Sequence, residues 1–480
     1  MTKEFFWFAR ICLHKFCEEK MTLRSFIHSS TESKMTPEQK AVFDFVRNHP
    51  NDSVLITGPA GTGKTYLTNA LLEWFKYVCH PPIRVAVTGS TGAAAVLIQG
   101  RTLHSYMGIG LAKPPVAALI AKIPKYIKNR LYQLHTLVID EISMIPASLM
   151  DIVDQVFRSI RSVDLPFGGV RCIFIGDACQ LPPVTGGYFF QSLSWKTLNP
   201  KVFQLTRLIR QDGDTRFQEL LMRARWGQLT TEDVALLKSR LLSSKKINNA
   251  NEVQPTRLYS INKDVDTENE KEFHKLILLQ PSNETVRTYK TEYYDPMNSV
   301  TTLLKMKQYA NQSRISDAIL LCVGAQVMVT WNQPTESKIV NGTRGVILQV
   351  YEDSVLIQLK DCSVATIPYM RIDYPEDASL PNFSDGHGLE PANSRASIRF
   401  LPIRLAYALS IHKSQGVTLD CAEIDLGESV FEYGQAYTAL SRVKSLESLY
   451  LTSFSRCVFR THPAVMAFYG HTTNTTTNSE

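Results

Sequence analysis

Three groups of residues have the types and spacing to act on a phosphate anhydride. In Gly58-Pro59-Ala60-Gly61-Thr62-Gly63-Lys64-Thr65 the outer glycines frame four residues and precede Lys-Thr. At that spacing successive backbone N–H groups wrap an anionic oxygen, and a helix N-terminus adds its positive end. Glycine is needed because a Cβ would block so close an approach. Lys64 would meet the β- and γ-phosphate charge of ATP, and the Thr65 hydroxyl would ligate Mg²⁺. Asp140 and Glu141 end the apolar run Thr136-Leu-Val-Ile139, at the strand edge where open α/β sheets place ligands. Asp140 would hold Mg²⁺, and Glu141 would take a proton from the water that attacks the γ-phosphate. Gln180, in Gly176-Asp177-Ala-Cys-Gln180-Leu-Pro-Pro183, sits where an amide could sense a γ-phosphate, while Asp177 reads as a turn cap. Gln39 has two readings. It completes a capping box with Thr36, or it clamps an adenine edge ahead of the phosphate loop.

The elements that must position these groups alternate. Thr36-Pro37 opens a helix with Ala41, Val42, Phe45 and Val46 at helical spacing. Ser53–Thr57, Ile83–Thr88, Thr136–Ile139 and Arg171–Ile175 read as buried strands, Thr91–Val96 as a helix start and Met150–Ile160 as an amphipathic helix. Strand and helix in alternation predict an α/β fold with parallel sheets. Residues 100–135 read as a loop insertion, and Pro166-Phe-Gly-Gly169 turns the chain. Val355–Leu359 and Val364–Ile367 read as a hairpin about a Lys360-Asp361 turn, and 376–397 as a mobile loop.

At 480 residues the chain should divide into two or three domains. The 52 Lys+Arg against 45 Asp+Glu leave +7, compatible with nucleic acid without establishing it. Nine scattered cysteines without a C-x-x-C pair suggest neither a disulfide framework nor a zinc site, and fit a reducing compartment. No apolar run of about eighteen residues predicts a membrane span. In residues 1–34, Arg10 argues against a secretory signal and Glu4, Glu18 and Glu19 against a mitochondrial transit peptide, leaving an amphipathic surface helix as the simpler reading. Gly470–Glu480 reads as a disordered tail.

The order of Thr36-Pro-Glu-Gln39, GPAGTGKT, Asp140-Glu141, a helix with Phe157, Arg158 and Arg161, PFGG and GDACQLPPV resembles the Pif-type (petite integration frequency) helicases, relatives of the RecD helicase in superfamily 1B. Leu205-Thr-Arg-Leu-Ile-Arg210-Gln211, Ala408–Asp420 with His412-Lys413-Ser414-Gln415-Gly416, and Gly434–Arg442 resemble that family's fourth, fifth and sixth motifs. Leu208-Ile209 stands where the family usually has an aromatic.

The resemblance covers residues 35–469 and implies two RecA-like P-loop lobes with ATP between them, at 35–200 and 201–470. It also implies a small β-barrel inserted in the second lobe near 341–399. By motif position it assigns Gln39 to adenine, Gln180 to γ-phosphate sensing, and Arg210 and Arg442 to the γ-phosphate from the second lobe. Thr91, Gly92, His104, Ser105, His412, Lys413 and Ser414 would grip a single-strand backbone. The implied activity is an ATP- and Mg²⁺-dependent DNA helicase moving 5′-to-3′, a monomeric motor on single-stranded DNA and on tailed or structured duplex. Its expected work is replication, repair, recombination or telomere maintenance, in the nucleus or a mitochondrion. The alternatives are an RNA helicase of the same superfamily and a nucleotide-dependent DNA-binding scaffold.

Overall fold

The computed structural model describes residues 34–476 apart from 80–82, 92–93, 96–97, 99, 111, 113–114, 243–254, 261, 280–284, 313–314, 332–338, 340–342, 360–361 and 374–395. Helix α1 (Pro37–Asn48) starts at a capping box in which Thr36 Oγ1 accepts from Gln39 N–H (3.2 Å) and Gln39 Oε1 accepts from Thr36 N–H (3.0 Å). Strand β1 (Val54–Thr57) runs into the glycine loop, and helix α2 (Lys64–Tyr77) leaves it, with Gly63 in the left-handed region as its N-cap. Strands β2 (Val85–Gly89), β3 (Arg101–Thr102), β4 (Thr136–Asp140), β5 (Arg171–Gly176) and β6 (Lys201–Gln204) complete a parallel sheet of order β3-β2-β4-β5-β1-β6.

The two-residue period of the strands explains why this sheet is apolar on both faces. Val54 and Ile56 of β1, Val138 of β4, and Ile173 and Ile175 of β5 pack with Val42, Phe43, Val46, Leu67 and Leu71 of α1 and α2. The alternate residues, Leu55, Leu137, Ile139, Cys172 and Phe174, face the other core with Met150, Val153 and Phe157 of the helix Ala147–Arg161. Each fully buried aliphatic side chain contributes about 1.5–3 kcal/mol. The carboxyl ends of β1, β4 and β5 are thereby fixed side by side.

The helix Ala147–Arg161 is tied to the turn after it. Arg161 Nε donates to Gly168 O (2.8 Å), and a Cβ on Gly168 would lie 2.7 Å from Phe157 O. That close approach is why the turn carries glycine.

A second parallel sheet has the order Ala408–Ser410, Thr256–Tyr259, Ala422–Leu426, Leu449–Phe454. Between its strands the chain makes antiparallel structure. Val364–Pro368, Ser354–Leu359, Arg344–Val350, Gln326–Val329 and Ile403–Leu405 form one five-stranded sheet around Val327, Ile347, Val355 and Ile357. The architecture is thus two RecA-like parallel sheets with an antiparallel insertion.

Several expectations change in detail. Among the described residues the insertion is antiparallel, as expected, but no pairing joins the edge strands Val364–Pro368 and Ile403–Leu405, so closure into a barrel is not shown. The hairpin forms, with Val355 opposite Ile367, and its Lys360-Asp361 turn lies outside the described residues. Residues 100–135 are not a plain loop: they fold as helices Leu103–Met107, Val116–Lys122 and Lys125–Tyr132, whose Ile123, Ile127 and Leu131 enter the core. The stretch 281–316 contains strands Val286–Lys290 and Glu292–Tyr294 and helix Val300–Gln312. Helix Pro463–Thr476 continues through the region read as a tail from Gly470. The readings of 1–33 and most of the mobile loop (376–395) fall outside the described residues.

Candidate active site

The glycine loop is shaped by its own lysine and by residues from far along the chain. Gly58, Gly61 and Gly63 have φ of 144°, 90° and 78°. A Cβ on Gly58 would lie 2.2 Å from Leu205 O, and one on Gly63 would lie 2.4 Å from Gln39 Nε2. Lys64 Nζ donates to Gly58 O (2.7 Å) and Pro59 O (2.9 Å), and Thr62 Oγ1 donates to Pro59 O (3.0 Å). Burial lowers the Lys64 ammonium to about 8, opposed by the charges of Asp177, Glu141 and Asp140. Removal from water weakens the charged form, and the surrounding carboxylates restore it. Thr65 is exposed at the helix start.

Gln39 makes the capping box and also reaches the glycine loop. Its Oε1 closes the capping box, while its buried Nε2 donates to Thr62 O (3.1 Å) and Gly63 O (3.4 Å).

At the end of β4, Asp140 is 6% exposed and pushed up to about 7, first by burial and then by the neighbouring Glu141. Its Oδ1 accepts from Glu141 N–H (2.9 Å). Glu141 has φ 52°, an unfavourable backbone for a residue with a Cβ. Gln415 Nε2 donates to Glu141 Oε2 (2.8 Å). A buried acid whose charge is disfavoured by burial and by a neighbouring carboxylate would be stabilised by a cation, and the carboxylate of Asp140 and the hydroxyl of Thr65 are hard oxygens of the type that suit Mg²⁺.

Asp177 is more than the turn cap its position suggested. It is fully buried, accepts from Arg225 Nη2 (2.8 Å) and Nε (3.1 Å), and accepts from the Tyr469 hydroxyl (3.1 Å). Burial would raise its carboxyl, but Arg225 reverses this and leaves it below the usual carboxylate range. Tyr469 OH also pairs with Thr57 Oγ1 (2.7 Å) at the end of β1 and receives Ala178 N–H (3.2 Å). Arg225→Ala would strand a buried carboxylate, at a cost of about 3–5 kcal/mol. Denaturant unfolding should show that loss, and Asp177→Asn in the same chain should recover part of it. Gln180 lies next to Asp177, 4% exposed.

Residues beyond the first parallel sheet close the site. Gly61 O accepts from Ile209 N–H (2.8 Å) and Arg210 N–H (3.1 Å), and Tyr437 OH accepts from Ala60 N–H (2.9 Å). Arg210 Nη1 donates to Ser441 O (2.9 Å), and Arg442 Nη2 donates to Ser441 Oγ (2.7 Å). Arg442, 1% exposed, also donates to Thr438 O (2.8 Å) and Ser414 O (3.3 Å). Burial and then the neighbouring Arg442 lower the Arg210 guanidinium to about 9. Both arginines are brought to one serine, but Arg442 is tied to carbonyls of its own half rather than aimed at the glycine loop.

The residues assigned to strand gripping are placed unevenly. Thr91 is half-buried, and its Oγ1 accepts from Ala94 N–H (3.2 Å). His104 and Ser105 lie half-buried on helix Leu103–Met107. His412 and Lys413 are half-buried in the turn His412–Ser414, and burial lowers both His104 and His412 below the usual imidazole value. Ser414 departs from expectation. It is 0% exposed and its hydroxyl donates to Ile411 O (2.8 Å), so it braces the turn from inside. Gly92 lies outside the described residues.

Sequence reading missed Gln415, Tyr437, Arg225 and Tyr469. The first two sit inside recognisable motifs; the others have no local signal, because their partners lie 48 and 412 positions away.

A model of PIF1-like helicases matches residues 34–235. The chain is 36% identical over 448 residues to the human ATP-dependent DNA helicase PIF1, covering 92% of this chain and 64% of that protein. It is 31% identical over 445 residues to the ATP-dependent DNA helicase Pif1 of Bdellovibrio bacteriovorus, covering 91% and 92%. The chain therefore spans just under two thirds of the human relative and nearly all of the bacterial one. Among solved structures, the Pif1 helicase of Candida albicans superposes with a TM-score of 0.69 at 29% identity, covering 91% of this chain and 99% of that one. A Bacteroides Pif1 helicase in complex with ADP-AlF3 and ssDNA superposes with a TM-score of 0.62 at 25% identity, covering 92% and 97%.

Proposed function

Because this chain belongs to the PIF1-like helicase family, we propose that it is an ATP-dependent DNA helicase that moves 5′-to-3′ along single-stranded DNA and unwinds duplex ahead of it. The observation that carries the reading is the convergence of distant residues on the glycine loop, where Gly61 O holds the backbone of Arg210 and Ala60 N–H meets Tyr437 from the second half of the chain. A nucleotide between the sheets would therefore feel, and alter, how they sit together. The relatives support it, since two are ATP-dependent DNA helicases and a third, the Bacteroides helicase, is in complex with ADP-AlF3 and single-stranded DNA.

In this reading the loop N–H groups of residues 58–65 cradle the phosphates. Lys64 turns from its own loop carbonyls to the β- and γ-oxygens. Thr65 and Asp140 hold Mg²⁺, which supplies positive charge to the phosphate oxygens when bound. Gln39, already against Thr62 and Gly63, orients the adenine. Glu141 accepts the proton of the attacking water, and Gln180 senses the γ-phosphate. Arg210 and Arg442 stabilise the charge of transfer once the cleft shuts. Thr91, Gly92, His104 and Ser105 from the first half, and His412 and Lys413 from the second, bind strand phosphates. Such contacts carry no base sequence.

Polarity is tested with partial duplexes. One bearing a 5′ single-stranded tail should be unwound with ATP and Mg²⁺, and one with only a 3′ tail should not. Tail binding should weaken with added salt and vary little with base sequence. Unwinding only from the 3′ tail would overturn the directional assignment. Stronger ATPase stimulation by oligoribonucleotide than by oligodeoxynucleotide would move the substrate to RNA.

A further inference from the structure

The turn His412–Ser414 and the residue after it touch two groups of the proposed chemistry. Ser414 O accepts from Arg442 Nη1 (3.3 Å), and Gln415 Nε2 donates to Glu141 Oε2 (2.8 Å) across 274 positions of chain. Gln415 is 5% exposed, and its Oε1 is buried without a hydrogen-bond partner among the described residues. The same turn carries the half-buried His412 and Lys413. One short segment thus joins the strand-gripping surface to the carboxylate and to an arginine.

The arrangement has a direction. A carboxylate oxygen that accepts a donor from a buried amide is fixed in angle. Glu141 is held so on a backbone of φ 52°, which persists only where neighbours enforce it. A buried amide satisfied at one end only marks a pose with room for a better one. A strand that binds one arrangement of the turn more tightly than the other will shift the population towards it.

We propose that Gln415 is a positioning residue that holds Glu141 in an idle pose, and that a single strand bound at His412 and Lys413 releases it by shifting the 412–415 turn. The proposal rests on the reading of Glu141 as the proton acceptor and of 412–413 as a strand contact. It makes the ATPase quiet without DNA by restraint, rather than by absence of a catalytic group.

The test is steady-state ATP turnover of the whole chain with and without a deoxythymidine oligonucleotide, for the parent, Gln415→Ala and Gln415→Glu. The glutamate variant keeps the side chain's size, loses the donor and repels Glu141, so it answers the question if the alanine variant melts early. DNA-free turnover should rise roughly ten-fold, the scale of one hydrogen bond to a charged group. DNA-saturated turnover should stay near the parent value, so the stimulation ratio collapses, which a merely structural role would not produce. Unchanged DNA-free turnover in a folded variant overturns the restraint. So does an equal fall with and without DNA, which would make Gln415 an aid to the active state. A parent chain without any ATP turnover overturns the underlying reading and the restraint with it, and is distinguished by the parent alone.

Discussion

Lys64→Ala should abolish ATP turnover while leaving the melting temperature within about 3 °C of the parent. The two effects separate because of what Lys64 touches. Its ammonium donates only to Gly58 O and Pro59 O, within its own loop, and it occupies the first position of α2, where alanine is a good helix former. Its contribution is charge. Burial lowers the ammonium to about 8, yet Asp177, Glu141 and Asp140 oppose that fall, so it remains mostly protonated near neutral pH. Removing it leaves acidic groups facing polyphosphate without their cation. Phosphate release with saturating DNA is the measurement, with a melting curve beside it. Turnover within a few-fold of the parent would refute the loop's role.

Arg442→Ala should depress turnover by about 10³ to 10⁵, or about 4–7 kcal/mol, with a much smaller change in ATP affinity. An arginine that engages chiefly in the closed transition state acts on rate more than on ground-state binding. The structure adds a condition: Arg442 must first leave Thr438 O and Ser414 O. Arg210 binds the backbone carbonyl of the serine whose hydroxyl Arg442 binds. If the two guanidiniums, both anchored on Ser441, act as one closing clamp, the double variant should be less impaired than the product of the single losses. Arg442→Lys keeps charge but loses the planar fork, and should recover little. Single-turnover hydrolysis separates these effects from nucleotide binding, and strictly multiplicative losses would argue for independent arginines.

How much of the site was legible follows from how local its causes are. The glycine loop, Asp140-Glu141 and the strands before them could be read because apolar strand, turn and helix are contiguous. Gln39 stayed divided between cap and clamp, since its cap is local while its contact to Thr62 O crosses 23 positions. Ser414 was misplaced because a serine in a polar run looks outward, and only Ile411 O turns its hydroxyl in. The helices in 100–135 were missed because their buried faces are short. Ile123, Ile127 and Leu131 make too few turns to show a period. The barrel was carried over from resemblance, and strand pairing alone decides closure.

The bond between Thr57 and Tyr469 has a consequence for how the protein is made. At ribosomal rates of about 5–20 residues per second, the 412 positions between them correspond to on the order of 20 to 80 s of synthesis. Arg225 follows Asp177 by 48 positions, so the buried carboxylate gains its cation within seconds of emerging. The hydroxyl that joins it to β1 arrives near the end, on helix Pro463–Thr476. Phe468 of that helix stacks on Phe190 (4.4 Å between ring centres) beside Phe189 and Trp195. Until then the nascent first half displays an aromatic face with nothing over it, a surface for chaperones or for neighbouring nascent chains. A premature stop shortly before residue 463 would leave every phosphate-binding group encoded and that face permanently bare, and the shortened product would be lost to aggregation rather than to missing chemistry.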